Sequence, residues 1–354
     1  MKQFYPLSTF LTEYSEKNGV NAYRPVAVGR YGIRTRESIY SKELAKDYSK
    51  NKLIHKNTLT VGMGSVQIDI GVLTDDITYS VSPAYHTYKI AGVNAEYLRY
   101  CLECRNQDMF SRFVKRGSRQ GKTIDLKRWM TYEIPVYDEN RQQEIVDRLN
   151  RISELIEKRQ EQLVQLSELV KSRFIELFGV YPSNPKGWET ATIRDIVADV
   201  RYGSSRPAVD GGKYPYLRMN NITYGGELDL TDTKRIDIPD NELDKCTVRR
   251  GDVLFNRTNS KELVGKTCVY NRDEMMVLAG FVIRVRVTER VLPEFLSAFL
   301  NTDFSKQMLL GMCKAAIGQA NINAQEMQNI GIYLPPTELQ RQFVQFKEQT
   351  DKSK

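Results

Sequence analysis

The sequence is poor in the residues that enzymes commonly use for nucleophilic or metal-dependent catalysis. Its 354 residues include only two histidines, His55 and His86, which leaves little room for a histidine base or a histidine metal site. It contains no Asn-Pro-Pro-Tyr or Asp-Pro-Pro-Tyr string, so the usual catalytic tetrapeptide of amino-methyltransferases is missing. These absences favour a binding protein over an enzyme, with a degenerate enzyme site as the alternative.

A complete nucleotide-binding loop is also missing. A P-loop has four residues between its first glycine and the Gly-Lys pair, so that successive backbone N–H groups surround a phosphate. Gly117 and Gly121 enclose only three residues, and the second Gly-Lys-Thr string, at Gly265, has Ser260 in place of the leading glycine. We therefore expect no nucleotide site and interpret the stretch 116–124 as a structural turn.

No run of about 18 apolar residues is present, and the N-terminus lacks the basic start and apolar core of a signal peptide. The five cysteines are therefore expected to be reduced thiols of a cytoplasmic protein. Cys101 and Cys104 form a CxxC pair, but zinc needs a second pair of ligands at a compatible spacing, and the sequence offers none. We expect no metal site in this chain.

The chain is basic, with a formal charge of +8 and a pI near 9.0. Such a charge fits a polyanionic partner such as a nucleic acid. An ordinary basic protein without such a partner would have the same composition, so charge alone does not decide between them.

An internal duplication organises the sequence. The string EYLRYCLE at Glu96 returns as EFLSAFLN at Glu294, 198 residues later, and the same shift places Gln142 over Gln340 and Val146 over Val344. Upstream, KNTLTVGMGS lies over GDVLFNRTNS with a shift of 195. Each copy combines β-rich runs, broken by glycine and polar turns, with amphipathic helical runs. The pattern predicts an α+β fold with two tandem mixed α/β domains.

Between the copies lies a run without proline or glycine that predicts one long helix. Its apolar residues follow a heptad spacing, with an inter-helix seam at Leu149, Ile152, Ile156, Leu163, Leu166 and Val170. A much shorter helix follows Pro335 and Pro336 and is the expected partner of the long one. The predicted boundaries are 1–137 for the first domain, 138–180 for the long helix, 181–335 for the second domain and 336–354 for the short helix.

These motifs, taken together and in this order, resemble the specificity subunits of type I restriction–modification enzymes. The resemblance rests on GWETATIRDIV, YPYLRMNNITYGGEL, GDVLFNRTNS, IGQANINAQEMQNIGIYLPPTELQRQFV and the central helix. It covers essentially the whole chain and is closer in the second copy. The first copy has YEIPVYDENRQQEIV, without the double proline.

The resemblance implies two target recognition domains, each reading one half of a split site in double-stranded DNA, with paired helices fixing the distance between the halves. It implies two methyltransferase subunits as partners, which use S-adenosylmethionine, usually for N6-adenine methylation, and ATP- and Mg-dependent restriction subunits. It also implies that this chain catalyses nothing and binds no cofactor itself. The short last helix leaves open a truncated or phase-variant protein that acts as a homodimer through the long helix.

DNA reading requires arginine or lysine for phosphate and guanine, and asparagine or glutamine for adenine, on loops that can enter a groove. We expect the best base contacts at Arg206, Arg218 and Arg257. The full set of expected DNA contacts is Arg30, Tyr31, Arg34, Arg36, Ser65, Arg119, Lys122, Arg201, Tyr202, Ser204, Ser205, Arg206, Arg218, Asn220, Asn221, Arg257, Thr258, Asn259, Ser260 and Lys261.

Overall fold

The computed structural model of the chain describes residues 2–19, 23–39, 47–117, 121–313 and 320–354. The chain divides into two compact units, Met1–Lys158 and Arg159–Lys354, which we call unit 1 and unit 2. The boundary falls inside one long helix, so each unit contains half of it. No helix among the described residues is long and apolar enough to cross a membrane.

Unit 1 is an α+β unit. Its strands are β1 (Gln3–Pro6), β2 (Leu11–Tyr14), β3 (Val26–Gly29), β4 (Gly32–Thr35), β5 (Lys52–Ile54), β6 (Thr58–Met63), β7 (Ile68–Leu73), β8 (Tyr79–Val81), β9 (His86–Ile90), β10 (Val114–Gly117), β11 (Gly121–Ile124) and β12 (Glu133–Val136). Its helices are α1 (Ala95–Cys104), α2 (Asn106–Phe113), α3 (Leu126–Trp129) and the first half of α4 (Glu139–Phe178). The main sheet is antiparallel with the order β2-β9-β6-β7.

The core of unit 1 forms because alternate residues of the main sheet face α1. Leu59 and Val61 on β6 are fully buried and belong to the same cluster as Leu98 and Leu102 on α1. Their two-residue and four-residue spacings are those of one sheet face and one helix face. The helix begins at an N-cap, where the Asn94 side chain accepts a hydrogen bond from the backbone of Tyr97.

Unit 2 repeats this plan and adds a second sheet. Its strands are β13 (Glu189–Thr192), β14 (Val197–Tyr202), β15 (Tyr214–Leu217), β16 (Lys234–Ile236), β17 (Thr247–Val248), β18 (Val253–Asn256), β19 (Thr258–Asn259), β20 (Thr267–Val269), β21 (Met276–Leu278), β22 (Val282–Val287), β23 (Ala320–Asn321) and β24 (Gly331–Leu334). Its helices are the second half of α4, α5 (Asp240–Cys246), α6 (Pro293–Leu300), α7 (Asp303–Met312), α8 (Ala324–Gln328) and α9 (Thr337–Lys352).

The duplication is visible in the strand order. The main sheet of unit 2 runs β14-β22-β18-β20, the counterpart of β2-β9-β6-β7, and β13 pairs with β24 as β1 pairs with β12. The additional sheet of unit 2 has the order β16-β15-β21-β17 and includes one parallel pair, β15 with β21. The predicted fold class, two tandem α/β units joined by a long helix, is confirmed.

One buried glutamine in each unit performs the same structural task. The Gln142 side chain accepts a hydrogen bond from the backbone of Asn94 at 2.9 Å and donates one to the Tyr137 carbonyl at 2.7 Å. Gln340, 198 residues later, accepts from Leu292 at 2.8 Å and donates to the Pro335 carbonyl at 2.8 Å. In both units the glutamine joins the start of a helix, α4 or α9, to the start of the helix that covers the sheet, α1 or α6.

Helix α4 spans 40 residues without interruption, about 60 Å at the usual rise per residue. Within unit 2, α9 packs on its C-terminal half. The Phe174 and Phe343 rings lie 5.2 Å apart between centroids, and Arg159 donates to the Ser353 carbonyl at 3.0 Å. Of the predicted seam residues, Leu163, Leu166 and Val170 are half-buried in unit 2 and Leu149 is half-buried in unit 1. Ile152 and Ile156 in unit 1 are 52% and 53% exposed.

Candidate nucleic-acid interface

In unit 2, one cationic feature surrounds Arg257, which follows β18 directly. The Arg257 backbone N–H donates to the Phe281 carbonyl at 3.0 Å, and its carbonyl accepts from Ile322 at 2.9 Å. The two bonds tie this residue to the turn before β22 and to the segment after β23. The side chain is therefore presented from a well-fixed backbone position.

The Arg257 guanidinium lies over the Tyr202 ring, with its central carbon 4.9 Å from the ring centroid. Its Nε atom is buried and has no hydrogen-bond partner. Among the described residues, no carboxylate lies within 4.0 Å of this guanidinium. A half-buried cation without a carboxylate is costly unless another anion binds it. We call Tyr202 and Arg257 the Arg257 cluster.

The polar residues beside the Arg257 cluster mostly support its backbone. Thr258 is 8% exposed and donates to the Asn321 side chain at 3.0 Å. The Asn259 amide donates to Asn256 at 2.9 Å, and Ser204, 5% exposed, accepts from the Arg206 backbone at 3.2 Å. These three side chains therefore stabilise the backbone segments beside Arg257. Ser205, Ser260 and Lys261, in contrast, are exposed to solvent.

The other arginines predicted for DNA contact in unit 2 have carboxylate partners. Arg206 makes a two-pronged contact with Glu242, at 3.2 and 2.7 Å, and this contact holds the pKa of the Glu242 carboxyl below its usual value. Arg201 contacts Asp199 at 2.8 Å, and Arg218 contacts Asp232 at 2.9 Å. A phosphate or guanine would have to compete with these carboxylates.

The two predicted asparagines after Arg218 differ in their exposure to solvent. Asn221 is 2% exposed, accepts from the Arg218 backbone at 2.8 Å and donates to the Asp229 carbonyl at 2.8 Å. Its side chain is therefore used to shape the loop and is turned away from solvent. Asn220, the preceding residue, is exposed.

In unit 1, a cationic feature lies at the β3–β4 hairpin. Arg30 and Tyr31 form its turn, and Gly32 follows with a φ of +74°, a conformation that favours glycine. Tyr31 is 70% exposed. The guanidinium carbons of Arg30 and Arg34 lie 5.8 and 5.2 Å from its ring centroid. We call Arg30, Tyr31 and Arg34 the Tyr31 cluster.

The Tyr31 cluster also carries unpaired charge. In the part of the chain that the structure describes, neither Arg30 nor Arg34 has a carboxylate within 4.0 Å, although nearby Arg24 contacts Glu37. Two cations beside one exposed aromatic ring suit a nucleic acid, which offers both phosphates and flat bases.

The remaining residues predicted in unit 1 are more dispersed. The Lys122 ammonium donates to the Ser65 carbonyl and lies 5.2 Å from the Phe110 ring centroid. The Arg36 guanidinium lies 5.3 Å from the Tyr48 ring centroid. Arg119 falls outside the described residues. Lys122 and Ser65 thus join the β10–β11 hairpin to the turn after β6.

Two features of these sites were not found from the sequence. The first is the pairing of Arg206 and Arg218 with acids that lie 36 and 14 residues away, separations that no local spacing rule identifies. The second is Phe281, a 52% exposed aromatic residue at the edge of the Arg257 cluster. The sequence signal that indicates Phe281 is a glycine followed by an aromatic residue between two β-rich runs.

Within the described ranges, no three His, Cys, Asp or Glu side chains are grouped so that they could hold a metal ion. The free thiols are Cys101, Cys104, Cys246, Cys268 and Cys313. Burial raises the pKa of the Cys268 thiol to about 12, so it stays protonated at neutral pH.

Comparison with known proteins agrees with the duplicated fold. The family model described as the type I restriction modification DNA specificity domain matches twice, over residues 11–166 and 185–354. The specificity subunit of the type I restriction enzyme EcoKI from Escherichia coli is 25% identical over 188 residues, which are 52% of this chain and 40% of that protein. The putative MjaX specificity subunit from Methanocaldococcus jannaschii is 28% identical over 163 residues, 45% of this chain and 38% of that protein. The matched stretches thus span less than half the length of these relatives.

Two solved structures have the same fold. The S subunit of a type I restriction–modification system from M. genitalium has a TM-score of 0.56 at 14% identity, over 100% of this chain and 90% of that chain. A chain solved in work on complex assembly and conformational transition of the type I R-M system has a TM-score of 0.54 at 16% identity, over 99% and 90%. With two matches of the specificity-domain model spread over most of its length, this chain belongs to the family of type I restriction–modification DNA specificity subunits.

Proposed function

We propose that unit 1 and unit 2 each bind one half of a bipartite site in double-stranded DNA, and that the chain thereby selects the DNA on which its partner subunits act. The observation that carries this proposal is the presence, in each unit, of arginines that have no carboxylate partner among the described residues and lie over a tyrosine ring. They include Arg257 over Tyr202 and the pair Arg30 and Arg34 beside Tyr31.

The roles within each site differ in this proposal. Arg257, fixed by its backbone and half-buried, is suited to a base edge, for which a guanine O6 and N7 pair is the usual target. Arg30 and Arg34 extend from an exposed hairpin and are suited to phosphates, which position a protein without reading sequence. Arg206 and Arg218 join the interface only where DNA displaces Glu242 and Asp232.

The chain itself is proposed to be non-catalytic and cytoplasmic and to bind no cofactor. In that assignment, S-adenosylmethionine is used by two methyltransferase subunits, and ATP and Mg are used by the restriction subunits. The exposed apolar residues Ile152, Leu155 and Ile156 on α4 support a helical partner on this part of the long helix, since exposed apolar patches often mark protein interfaces.

A homodimer through α4 is the second candidate, because the same three exposed residues could pack against a second copy. Sedimentation of the isolated chain separates the two arrangements. A monomer that associates only with methyltransferase subunits supports the first, and a dimer that Ile152→Glu dissociates supports the second.

The test of the proposed function is co-expression with the cognate methyltransferase subunit, followed by genome-wide mapping of methylated adenines. We expect methylation confined to one motif with two specified halves separated by a fixed gap. Methylation with no such motif, although the complex forms, would contradict the proposal.

A further inference from the structure

Phe281 is an exposed apolar side chain next to the Arg257 cluster. It is the last of the three residues, Ala279, Gly280 and Phe281, that connect β21 to β22, and 52% of its surface is accessible to solvent. Most phenylalanines are buried, and the neighbouring residues of both strands, Leu278 and Val282, are almost completely buried. The turn therefore carries an apolar group out of the core and into solvent.

The turn that carries Phe281 is fixed on several sides. The Phe281 carbonyl accepts hydrogen bonds from the Arg257 backbone at 3.0 Å and from the Asn256 amide at 3.2 Å. The Gly280 N–H donates to the Ser204 carbonyl at 2.7 Å, and the Val282 N–H closes the turn on the Ala279 carbonyl at 2.9 Å. The backbone of this turn is therefore pre-positioned for a contact, because little backbone entropy remains to be lost on binding.

The corresponding turn of unit 1 is built differently. The aromatic residue before β9 is Tyr85, which is half-buried, and its hydroxyl donates to the Val28 carbonyl at 2.9 Å. Its ring packs with Val28 and Leu73 in a small core cluster. The turn of unit 1 thus uses its aromatic side chain inside the fold, whereas that of unit 2 presents one beside the Arg257 cluster.

We propose that Phe281 contacts the 5-methyl group of a thymine in the half-site that unit 2 binds, and so contributes to sequence specificity. The proposal rests on the proposed function. In the major groove, thymine differs from the other bases by its apolar 5-methyl group. Phenylalanine is among the side chains that contact this group. The backbone bond between Phe281 and Arg257 places an apolar contact next to a cationic one, a combination that suits adjacent base pairs.

The test uses the assembled complex with its methyltransferase and duplexes that carry the mapped motif. Each thymine in both halves is replaced, one at a time, by deoxyuridine, which removes only the methyl group. We expect one replacement, in one half, to weaken binding by about fourfold, the effect of losing a single buried methyl group. Phe281→Ala should bind the thymine and uracil duplexes equally, and Phe281→Leu should retain part of the difference.

Phe4→Ala is the matched control, because Phe4 is also an exposed phenylalanine, at 55%, but lies on β1 in unit 1. This variant should keep the preference for thymine. The inference is overturned if wild-type protein tolerates every replacement, or if Phe281→Ala keeps the preference for thymine. Insertion of the ring between bases would give the first of these outcomes: wild-type protein would bind the thymine and uracil duplexes equally, and Phe281→Ala would weaken binding to both by the same factor. If no specific motif exists, the proposed function fails together with this inference, whereas specific binding without methyl dependence refutes the inference alone.

Discussion

The two units share a scaffold and differ in what they present from it. Both contain the same four-stranded antiparallel order, and both use a buried glutamine, Gln142 or Gln340, to join two helix starts. The cationic groups occupy different places: the hairpin turn after β3 in unit 1 and the end of β18 in unit 2. A duplicated fold thus holds two different surfaces, as two unlike half-sites would require.

The difference extends to how each arginine is restrained. Arg257 is fixed through its backbone and half-buried, while Arg30 and Arg34 extend from the exposed end of the β3–β4 hairpin. Since a restrained side chain loses less entropy on binding, the comparison predicts base reading in unit 2 and mainly phosphate contact at the Tyr31 cluster.

The largest expected effect is on the shared scaffold. Gln340→Met removes three hydrogen bonds, to Leu292, Arg290 and Pro335, and leaves buried backbone groups unsatisfied. We expect unit 2 to lose about 3 kcal/mol of unfolding free energy, and Gln142→Met, which removes two bonds, to cost unit 1 about 2 kcal/mol. Hydrogen exchange followed by mass spectrometry reports each unit separately. Destabilisation of the other unit by either variant would contradict the expectation that each glutamine stabilises only its own unit.

Arg257→Ala should weaken specific DNA binding by about 1–3 kcal/mol and relax one base position. Arg206→Ala should cost less than about 1 kcal/mol, because DNA must first displace Glu242 from a surface ion pair. Titration of both protein variants with the cognate duplex, and with duplexes that differ from it at one base pair, measures the loss of affinity and of base preference. Arg257→Lys, which keeps the charge but not the planar fork, is the control and should restore general but not base-specific binding. Equal losses for Arg257→Ala and Arg206→Ala would show that pairing in the free protein does not matter.

Arg30→Ala and Arg34→Ala should each lower the salt dependence of binding, with the slope of log K against log salt falling by about one. The loss should be uniform across DNA sequences, since phosphate contacts carry no base information. Arg24→Ala is the matched control, because Arg24 already contacts Glu37. A change of the recognised half-site on mutation of Arg30 would instead assign base reading to the Tyr31 cluster.

The smallest effect concerns pH. Burial, with repulsion from Lys171, lowers the pKa of Lys306 in unit 2 to about 8, while the position 198 residues earlier in unit 1 is Asp108. Between pH 8 and the ordinary lysine pKa of about 10.4, the folded protein binds fewer protons on this amine than the unfolded chain does. The free energy of unfolding contributed by this group therefore rises with pH across that window. Lys306→Met should flatten that rise in unit 2 alone, as measured by denaturation at several pH values. An unchanged pH profile would show that Lys306 is ordinarily solvated.

Much of the fold could be predicted from the sequence because its signals are local or periodic. The 198-residue shift aligns Gln142 with Gln340, and both residues make the same two hydrogen bonds, to the start of the covering helix and to the carbonyl five residues earlier. The absence of proline and glycine predicted one helix where α4 runs for 40 residues. The second sheet of unit 2 was not predicted, since it depends on pairing between β15 and β21, strands about 60 residues apart in sequence, and such long-range pairing leaves no periodic trace.

The candidate site was less predictable, because which arginines are unpaired depends on distant partners. The sequence marked Arg206, Arg218 and Arg257 alike, but Glu242 and Asp232 reach the first two and no described acid reaches the third. By residue type, Asn221 is a candidate for contact with adenine, but its side chain is buried in the turn that it caps. Residue type indicates what a side chain can bind, and the fold decides whether it is free to do so.

The most direct test of the account is an exchange of one unit. Residues 181–335 are replaced by the corresponding domain of a specificity subunit that has a different DNA target, and methylated adenines are mapped for the original and the exchanged protein with the same methyltransferase. We expect one half of the motif to stay unchanged, the other to become that of the donor, and the gap between them to be kept. A motif that changes in both halves, or in neither, would contradict the claim that each unit reads its own half.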